Sequence, residues 1–222
     1  YNTILEAMTN KFGSDNIIFE HGVAYEEHKE WTAEDASGIE KAVAQAKDVD
    51  YIIACVGENS YAETTGNISD LNLSSNQKLL VKRLQETGKP VILILNEGRP
   101  RLIHDLVDGC KAIVNIMLPG NYGGDALADL LSGDENFSGR LPFTYPSHPN
   151  SFTTYDFKVC EARETMPGTY NYEAHTNTQW WFGEGMSYTT FEYSNLEINK
   201  SSFDAGDIIE FSIMVKNTGN RK

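Results

Sequence analysis

Three carboxylic acids, Glu58, Glu63 and Asp70, fall within the polar stretch VGENSYAETTGNISDLNLSS (56–75), and no Lys or Arg occurs between Lys47 and Lys78. A carboxyl group without a neighbouring cation lacks the partner that lowers its pKa, and desolvation raises it further. Such a group holds its proton near neutral pH and can deliver it to a departing oxygen as a general acid. The plain alternative is that all three are solvated loop charges, with Asp70 orienting a turn. Arg99 and Arg101, in NEGRPR, follow the next apolar run and can hold either a substrate hydroxyl or one of these acids. His104 lies on a short amphipathic stretch that favours packing or capping over catalysis.

The acidic stretch must be positioned by the elements around it. Directly before it, YIIACVG (51–57) is continuously apolar, as expected of a central parallel strand covered on both faces. After it, Ser74 and Gln77 form an S-x-x-Q capping box ahead of a helix carrying Leu79, Leu80, Val81 and Leu84 and closed by Gly88. The intervening loop is far longer than the two to six residues usual for a strand-to-helix connection, and it lies where open parallel sheets bind ligands, beyond the carboxyl end of a strand.

Flanking segments extend the pattern. TILEAMTNKF (3–12) has helical spacing and stops at Gly13, IIF (17–19) has the character of a short strand, and Thr32 and Asp35 are placed to start a helix ending near Asp48. PVILILN (90–96) is a buried strand, LIHDLV (102–107) a short helix and AIVNIML (112–118) another strand. PGNYGGDALADLLSG (119–133) is a glycine-rich turn into a helix. The alternation predicts an α/β domain, an open, mostly parallel sheet with helices on both faces, over residues 1–145. Residues 146–190, rich in Pro, Ser, Thr and aromatics, form an extended linker packing on that sandwich. From 191 to 222 short alternating runs begin a truncated β-sandwich.

Composition narrows the function classes. The 222 residues carry 18 basic and 32 acidic side chains, a formal net charge of −14, with no basic cluster, so nucleic acid is a poor partner. A neutral sugar ligand is compatible with that charge. No stretch of ~18 apolar residues exists to span a membrane as a helix. Cys55, Cys110 and Cys160 are an odd number without metal-ligand spacing and read as buried or incidental thiols, so neither metal nor cofactor is expected. The turn PGNYGG resembles an anion cradle but lacks the spacings of dinucleotide and P-loop motifs, and close helix-to-sheet packing accounts for its glycines equally well. The N-x-S/T triplets at Asn67, Asn72, Asn136 and Asn199 are taken as chance matches. Both chain ends, at Tyr1 and GNRK, have the character of cuts from something longer.

Taken together, these motifs resemble the C-terminal half of glycoside hydrolase family 3, the β-glucosidase and exo-β-glucanase family. The resemblance rests on VGENSYAETTGN, LNLSSNQKLLVKRL, VILILNEGRP, IMLPGNYGGDALADLLSGDENFSGRLPFTYP, WWFGEGMSYTTFEYSNL and VKNTGNRK, and covers most of residues 40–222. It departs from the family pattern at QWWFGEGMSYT, where relatives more often carry a Tyr-Pro. The resemblance implies a (β/α)8 barrel with an aspartate nucleophile, then an α/β sandwich supplying the acid/base, then a fibronectin type III-like domain, of which this chain contains the second and the start of the third.

On that resemblance Glu63 is the general acid/base, with Glu58 as the alternative, and Tyr61, Arg99 and Trp180 are candidate substrate-binding residues. It further implies a β-linked oligosaccharide or glycoside as substrate, the barrel as partner domain, a periplasmic or secreted location, and no activity from this fragment alone. Trp180 and Trp181 suit a sugar platform or packing between domains. Two other readings stay open from the residues: a non-catalytic carbohydrate-binding or structural relative, and a flavodoxin-like nucleotide-binding module.

Overall fold

The computed structural model describes residues 1–151 and 178–221, together with the backbone of 165–166 and 172–173. In chain order its elements are α1 (Ile4–Phe12), β1 (Ala24–Tyr25), β2 (Glu34–Asp35), α2 (Ile39–Ala46), β3 (Ile52–Gly57), α3 (Ser75–Gln85), β4 (Val91–Asn96), α4 (His104–Val107), β5 (Ala112–Asn115), α5 (Gly123–Ser132), β6 (Tyr145–Pro146), β7 (Thr165–Met166), β8 (Tyr172–Glu173), β9 (Thr178–Trp180), β10 (Phe191–Ile198) and β11 (Phe211–Asn217).

The centre is a parallel sheet of order β3-β4-β5, paired Ile52↔Val91 through Gly57↔Asn96 and Ile92↔Ala112 through Leu95↔Asn115. Because side chains alternate across a strand, Ile52, Ala54, Val56, Val91, Leu93 and Leu95 face one layer. There they meet α2 through Ile39, Val43 and Ala46, α3 through Leu80, Val81 and Leu84, and Ile103 and Leu106 beyond β4. The other face carries Ile53, Ile92, Ile94 and Val114 against Ala7 and Met8 of α1 and Leu127 and Ala128 of α5. The open parallel sheet with helices on both faces is therefore as expected. The remaining strands form small antiparallel pairs, β1-β2, β6-β9, β7-β8 and β10-β11.

Local chemistry sets the helix ends. Thr3 accepts from Glu6 N–H and Glu6 accepts from Thr3 N–H, a complete capping box at α1. At α3 only half of the expected box forms: Ser74 Oγ accepts from Gln77 N–H, while the Gln77 side chain turns inward to another task. At the start of α5, a Cβ on Gly124 would lie 2.8 Å from the carbonyl oxygens of Asn2 and Thr3, so this glycine permits the close approach of α5 to the α1 entry. That contact supports the packing reading of PGNYGG.

Three local expectations are corrected. Residues 17–19 form no strand; Ile17 is extended after a 3-10 turn at Ser14–Asn16. The helix expected from Thr32 begins at Ile39, because Glu34–Asp35 pairs with Ala24–Tyr25 and Asp35 turns the chain by accepting from Ser37 N–H. The β3 strand lies at an edge of the described sheet: a continuous apolar run reports that both faces are covered, not that both edges are paired. The 146–190 segment lies largely outside the described residues. Beyond it, β10 and β11 form a hairpin whose Tyr193, Leu196, Phe211 and Val215 are exposed.

Candidate active-site loop

The loop after β3 is built upward from a buried carboxylate. Glu58, with a side chain only 2 % exposed, accepts on Oε1 from Arg99 Nε at 3.0 Å and Nη2 at 2.7 Å, and on Oε2 from Gly98 N–H at 2.9 Å. Arg101 Nη1 stands 3.6 Å from Oε1. The cations absent from the loop's own sequence are thus supplied by the turn after β4. With both oxygens occupied as acceptors, Glu58 anchors one loop to the other.

Above this pair the aromatic rings stack. Arg99 lies 4.6 Å from the Tyr61 ring centroid and 6.0 Å from that of Trp31, and the two rings meet edge to face at 5.6 Å. Trp31 Nε1 donates to the Ser60 carbonyl at 2.9 Å, and Asn59 Nδ2 returns a bond to the Trp31 carbonyl at 3.1 Å. Arg99 Nη1 also donates to the carbonyl of Gly66. Gly66 is buried under Tyr61, where a Cβ would come within 2.3 Å of the ring, so the chain can fold this tightly only at a glycine.

Between Tyr61 and Gly66, a single 3-10 turn (Glu63–Gly66) lifts Glu63 to the surface. Glu63 has φ of 52°, the left-handed region that costs a non-glycine residue about 1 kcal/mol or more. Glu63 is exposed, as are its neighbours Ala62, Thr64 and Thr65. Next to the turn, an open depression of about 460 Å³ is lined by residues including Tyr25, His28, Trp31, Asn59 and Thr65.

The far half of the loop is structural. Asp70 Oδ1 accepts from Asn72 N–H at 2.9 Å, which holds its carboxyl below the usual range and closes a turn. Asn72 bridges to Leu102, and Leu102 N–H donates to the Leu71 carbonyl, so residues 71–73 are tied to the segment after β4. The start of the loop is fixed by Gln77, 5 % exposed, whose Oε1 accepts from Gly57 N–H at 2.7 Å while Nε2 faces Tyr25 Oη, Glu34 Oε1 and the Gly57 carbonyl.

Of the residues singled out in the sequence, Glu58, Tyr61 and Arg99 come together and carry the turn bearing Glu63. Trp180 is half-buried and meets the ring of Tyr145 edge-on at 5.0 Å, so it packs on the core of the α/β domain itself. His104 bonds Gln179 and packs on His148, and Cys110 lies between Gln85 and the Leu106 carbonyl. Cys160 lies outside the described residues. Trp31 carried no motif that would have signalled its role; an isolated tryptophan in a polar segment is the weak sign it gave.

Known proteins resemble this chain along most of its length. The family model for the glycosyl hydrolase family 3 C-terminal domain matches residues 1–188. A lysosomal β-glucosidase of Dictyostelium discoideum is 36% identical over 229 residues, spanning 98% of this chain and 26% of its own length. A periplasmic β-glucosidase of Salmonella typhimurium is 31% identical over 191 residues, covering 83% of this chain and 25% of that protein. Among solved structures, a β-glucosidase from Erythrobacter marinus superposes with a TM-score of 0.79 at 26% identity, over 99% of this chain and 32% of its own. One from Listeria innocua in complex with isofagomine gives 0.72 at 26% identity, over 85% of this chain and 27% of its own. The chain therefore spans about a quarter of the curated relatives it matches. Among the described residues no helix is long and apolar enough to cross a membrane.

Proposed function

The chain belongs to glycoside hydrolase family 3, and we propose that it supplies the general acid/base of a retaining β-glycosidase, with Glu63 as the proton donor. The observation that carries this reading is the contrast between the two glutamates of one loop. Glu58 is enclosed by Arg99, Arg101 and the Gly98 amide, whereas Glu63 is exposed on a left-handed residue above that anchor.

In the proposed reaction Glu63 protonates the glycosidic oxygen as its bond to the anomeric carbon breaks. A second carboxylate, on an N-terminal barrel within the remaining three quarters of the full-length protein, attacks that carbon from a position roughly 5 Å away. Glu63, now ionised, takes a proton from water, and that water releases the sugar. The substrate is a terminal β-linked sugar of an oligosaccharide or glycoside. The open depression beside Trp31 and Asn59 offers the leaving group an aromatic face and an amide. Without the second carboxylate the 222-residue chain does not turn over. The name of the periplasmic Salmonella typhimurium relative supports a periplasmic or secreted setting, while the Dictyostelium discoideum relative is named lysosomal.

Glu63→Ala in the full-length protein tests the assignment. Activity on glycosides with poor leaving groups falls by about 10²–10⁴, activity on activated aryl glycosides falls less, and azide restores deglycosylation. Turnover unchanged by this substitution, or azide rescue confined to Glu58→Ala, would sink the assignment.

A further inference from the structure

Glu97, the residue after β4, is a buried acid with no part in the reaction above. It is 2 % exposed, and its Oε1 lies 2.8 Å from Tyr145 Oη and 3.0 Å from Asn115 Nδ2, while Oε2 faces Arg101 N–H at 3.3 Å. Tyr145, on β6 and 1 % exposed, also places Oη 2.6 Å from the Arg101 carbonyl oxygen.

Counting protons favours one state of this cluster. A phenol has one proton, and a carbonyl oxygen can only accept. Two oxygens 2.6 Å apart need a hydrogen between them, so the tyrosine proton points to Arg101. The second contact of Oη, at 2.8 Å, is completed by a proton from Glu97, whereas an ionised Glu97 leaves a single phenolic proton forked between two acceptors. Asn115 cannot relieve this, because its Oδ1 accepts from Met117 N–H and its Nδ2 is left facing Glu97. With the tyrosine proton on Arg101, one Glu97 oxygen accepts from Asn115 and donates to Tyr145, which a carboxylic acid does and a carboxylate does not.

We propose that Glu97 is a neutral carboxylic acid in the folded protein and a positioning residue for catalysis, locking the 97–101 turn that presents Gly98 and Arg99 to Glu58. The positioning half rests on the assignment of Glu63, because Arg99 reaches the Glu63 turn through Gly66. The charged and titratable groups acting on Glu97 are Arg101 from its own turn, Glu58 from the loop after β3 and Tyr145 from β6. Burial dominates and pushes the carboxyl up to about 7; a tyrosine proton aimed at Glu97, the Arg101 backbone N–H and the Arg101 charge act against it, and the Glu58 charge acts with it. Ionisation removes the proton shared with Tyr145 and sets a second buried negative charge near Glu58, loosening the turn that holds Arg99.

Infrared spectra of the full-length protein as a function of pH test the protonation directly. A carboxylic-acid carbonyl band absent from Glu97→Gln is expected below neutrality, fading as pH rises through about 7. In Tyr145→Phe the acceptor for that proton is gone, so the midpoint falls by about one unit or more. A midpoint that rises means that the tyrosine donates to a carboxylate, and overturns the proposal; so does the absence of any Glu97-dependent band. For the positioning role, kcat falls along an alkaline limb that follows the band while KM stays level, and a band titrating with no change in kcat overturns that role. Failure of the Glu63 assignment would show separately, as unimpaired turnover in Glu63→Gln, with the infrared titration unaffected.

Discussion

Arg99 gives Glu58 two N–H bonds on a single carboxylate oxygen, at 3.0 and 2.7 Å, and keeps a third donor for the backbone of the turn that carries Glu63. One guanidinium thus fixes the position of one glutamate relative to the other. A planar cation with divergent N–H groups can do this; the ammonium of a lysine cannot match the fork.

Removing that cation should be costly. Arg99→Ala leaves Glu58 buried with a lost counter-charge, and a loss of about 3 kcal/mol in unfolding free energy is expected from urea titration. Arg99→Lys should recover less than half of it. Equal stability of Arg99→Ala and the parent would mean that the Gly98 amide and Arg101 suffice for Glu58.

The two glutamates should part company when stability and activity are measured together. Glu63 is exposed, so Glu63→Gln should change the unfolding free energy by no more than about 0.5 kcal/mol while removing most turnover in the full-length protein. Glu58→Gln loses an acceptor for Arg99 and should destabilise by about 2 kcal/mol. The reverse pattern would exchange their roles.

Much of this was legible in the sequence, and the gaps have physical causes. The β-α alternation follows from apolar runs and caps, so the sheet and its flanking helices were readable from β3 to α5. The Ser74/Gln77 pair marked the start of α3 correctly, but a box motif cannot tell that Gln77 spends its amide on Gly57, 20 residues earlier. The choice between Glu58 and Glu63 stayed open because one sequence cannot fix the alignment of a loop that varies within the family, nor say which acid the two arginines after β4 would reach. The partners of Glu58 are Arg99 and Arg101, brought in by the parallel pairing of β3 with β4. Glu97 gave no sign, since a lone acid after a strand looks like any solvated turn residue until Tyr145 closes over it.

Stability should carry the imprint of Glu97. Its carboxyl titrates at about 7 in the folded chain, against 4.5 for the free group, so between those values the folded state binds the extra proton. Unfolding free energy from this group is then full below about 4.5 and declines as pH rises to about 7. Urea midpoints measured across this range should fall in the parent and stay level in Glu97→Gln, so the parent-minus-variant difference should decline as pH rises. A parent-minus-variant difference that does not change with pH would count against a raised carboxyl.

The β10-β11 hairpin predicts an association property of the 222-residue chain. Tyr193 pairs with Val215, and Phe211, Ile213 and Val215 alternate onto one face, all of them exposed. An apolar ribbon of this kind is an interaction surface. Sedimentation of the chain should show concentration-dependent self-association, reduced by Tyr193→Lys with Ile213→Lys and untouched by Glu63→Gln. A monomer at all concentrations would mean that the ribbon is covered by other parts of the chain.

Gln77 offers the sharpest test of how the loop's base is held. Its Oε1 takes the Gly57 N–H, and its Nε2 stands 2.7 Å from Glu34 Oε1 and 3.1 Å from the Gly57 carbonyl. Gln77→Glu keeps the first contact and replaces the amide donor by an oxygen facing the Glu34 carboxylate, the Gly57 carbonyl and the Tyr25 hydroxyl, in a site that is 5 % exposed. A loss of about 3 kcal/mol at neutral pH is expected, because a buried charge meets a carboxylate without a cation. The new carboxyl should titrate high, since protonation restores a donor at that position. Its cost is therefore smallest in acid and grows as pH rises, and the unfolding difference between Gln77→Glu and the parent should widen with pH. A difference independent of pH would place the lost stability in packing, and Gln77→Leu, which removes donor and acceptor together, would then cost no more than Gln77→Glu.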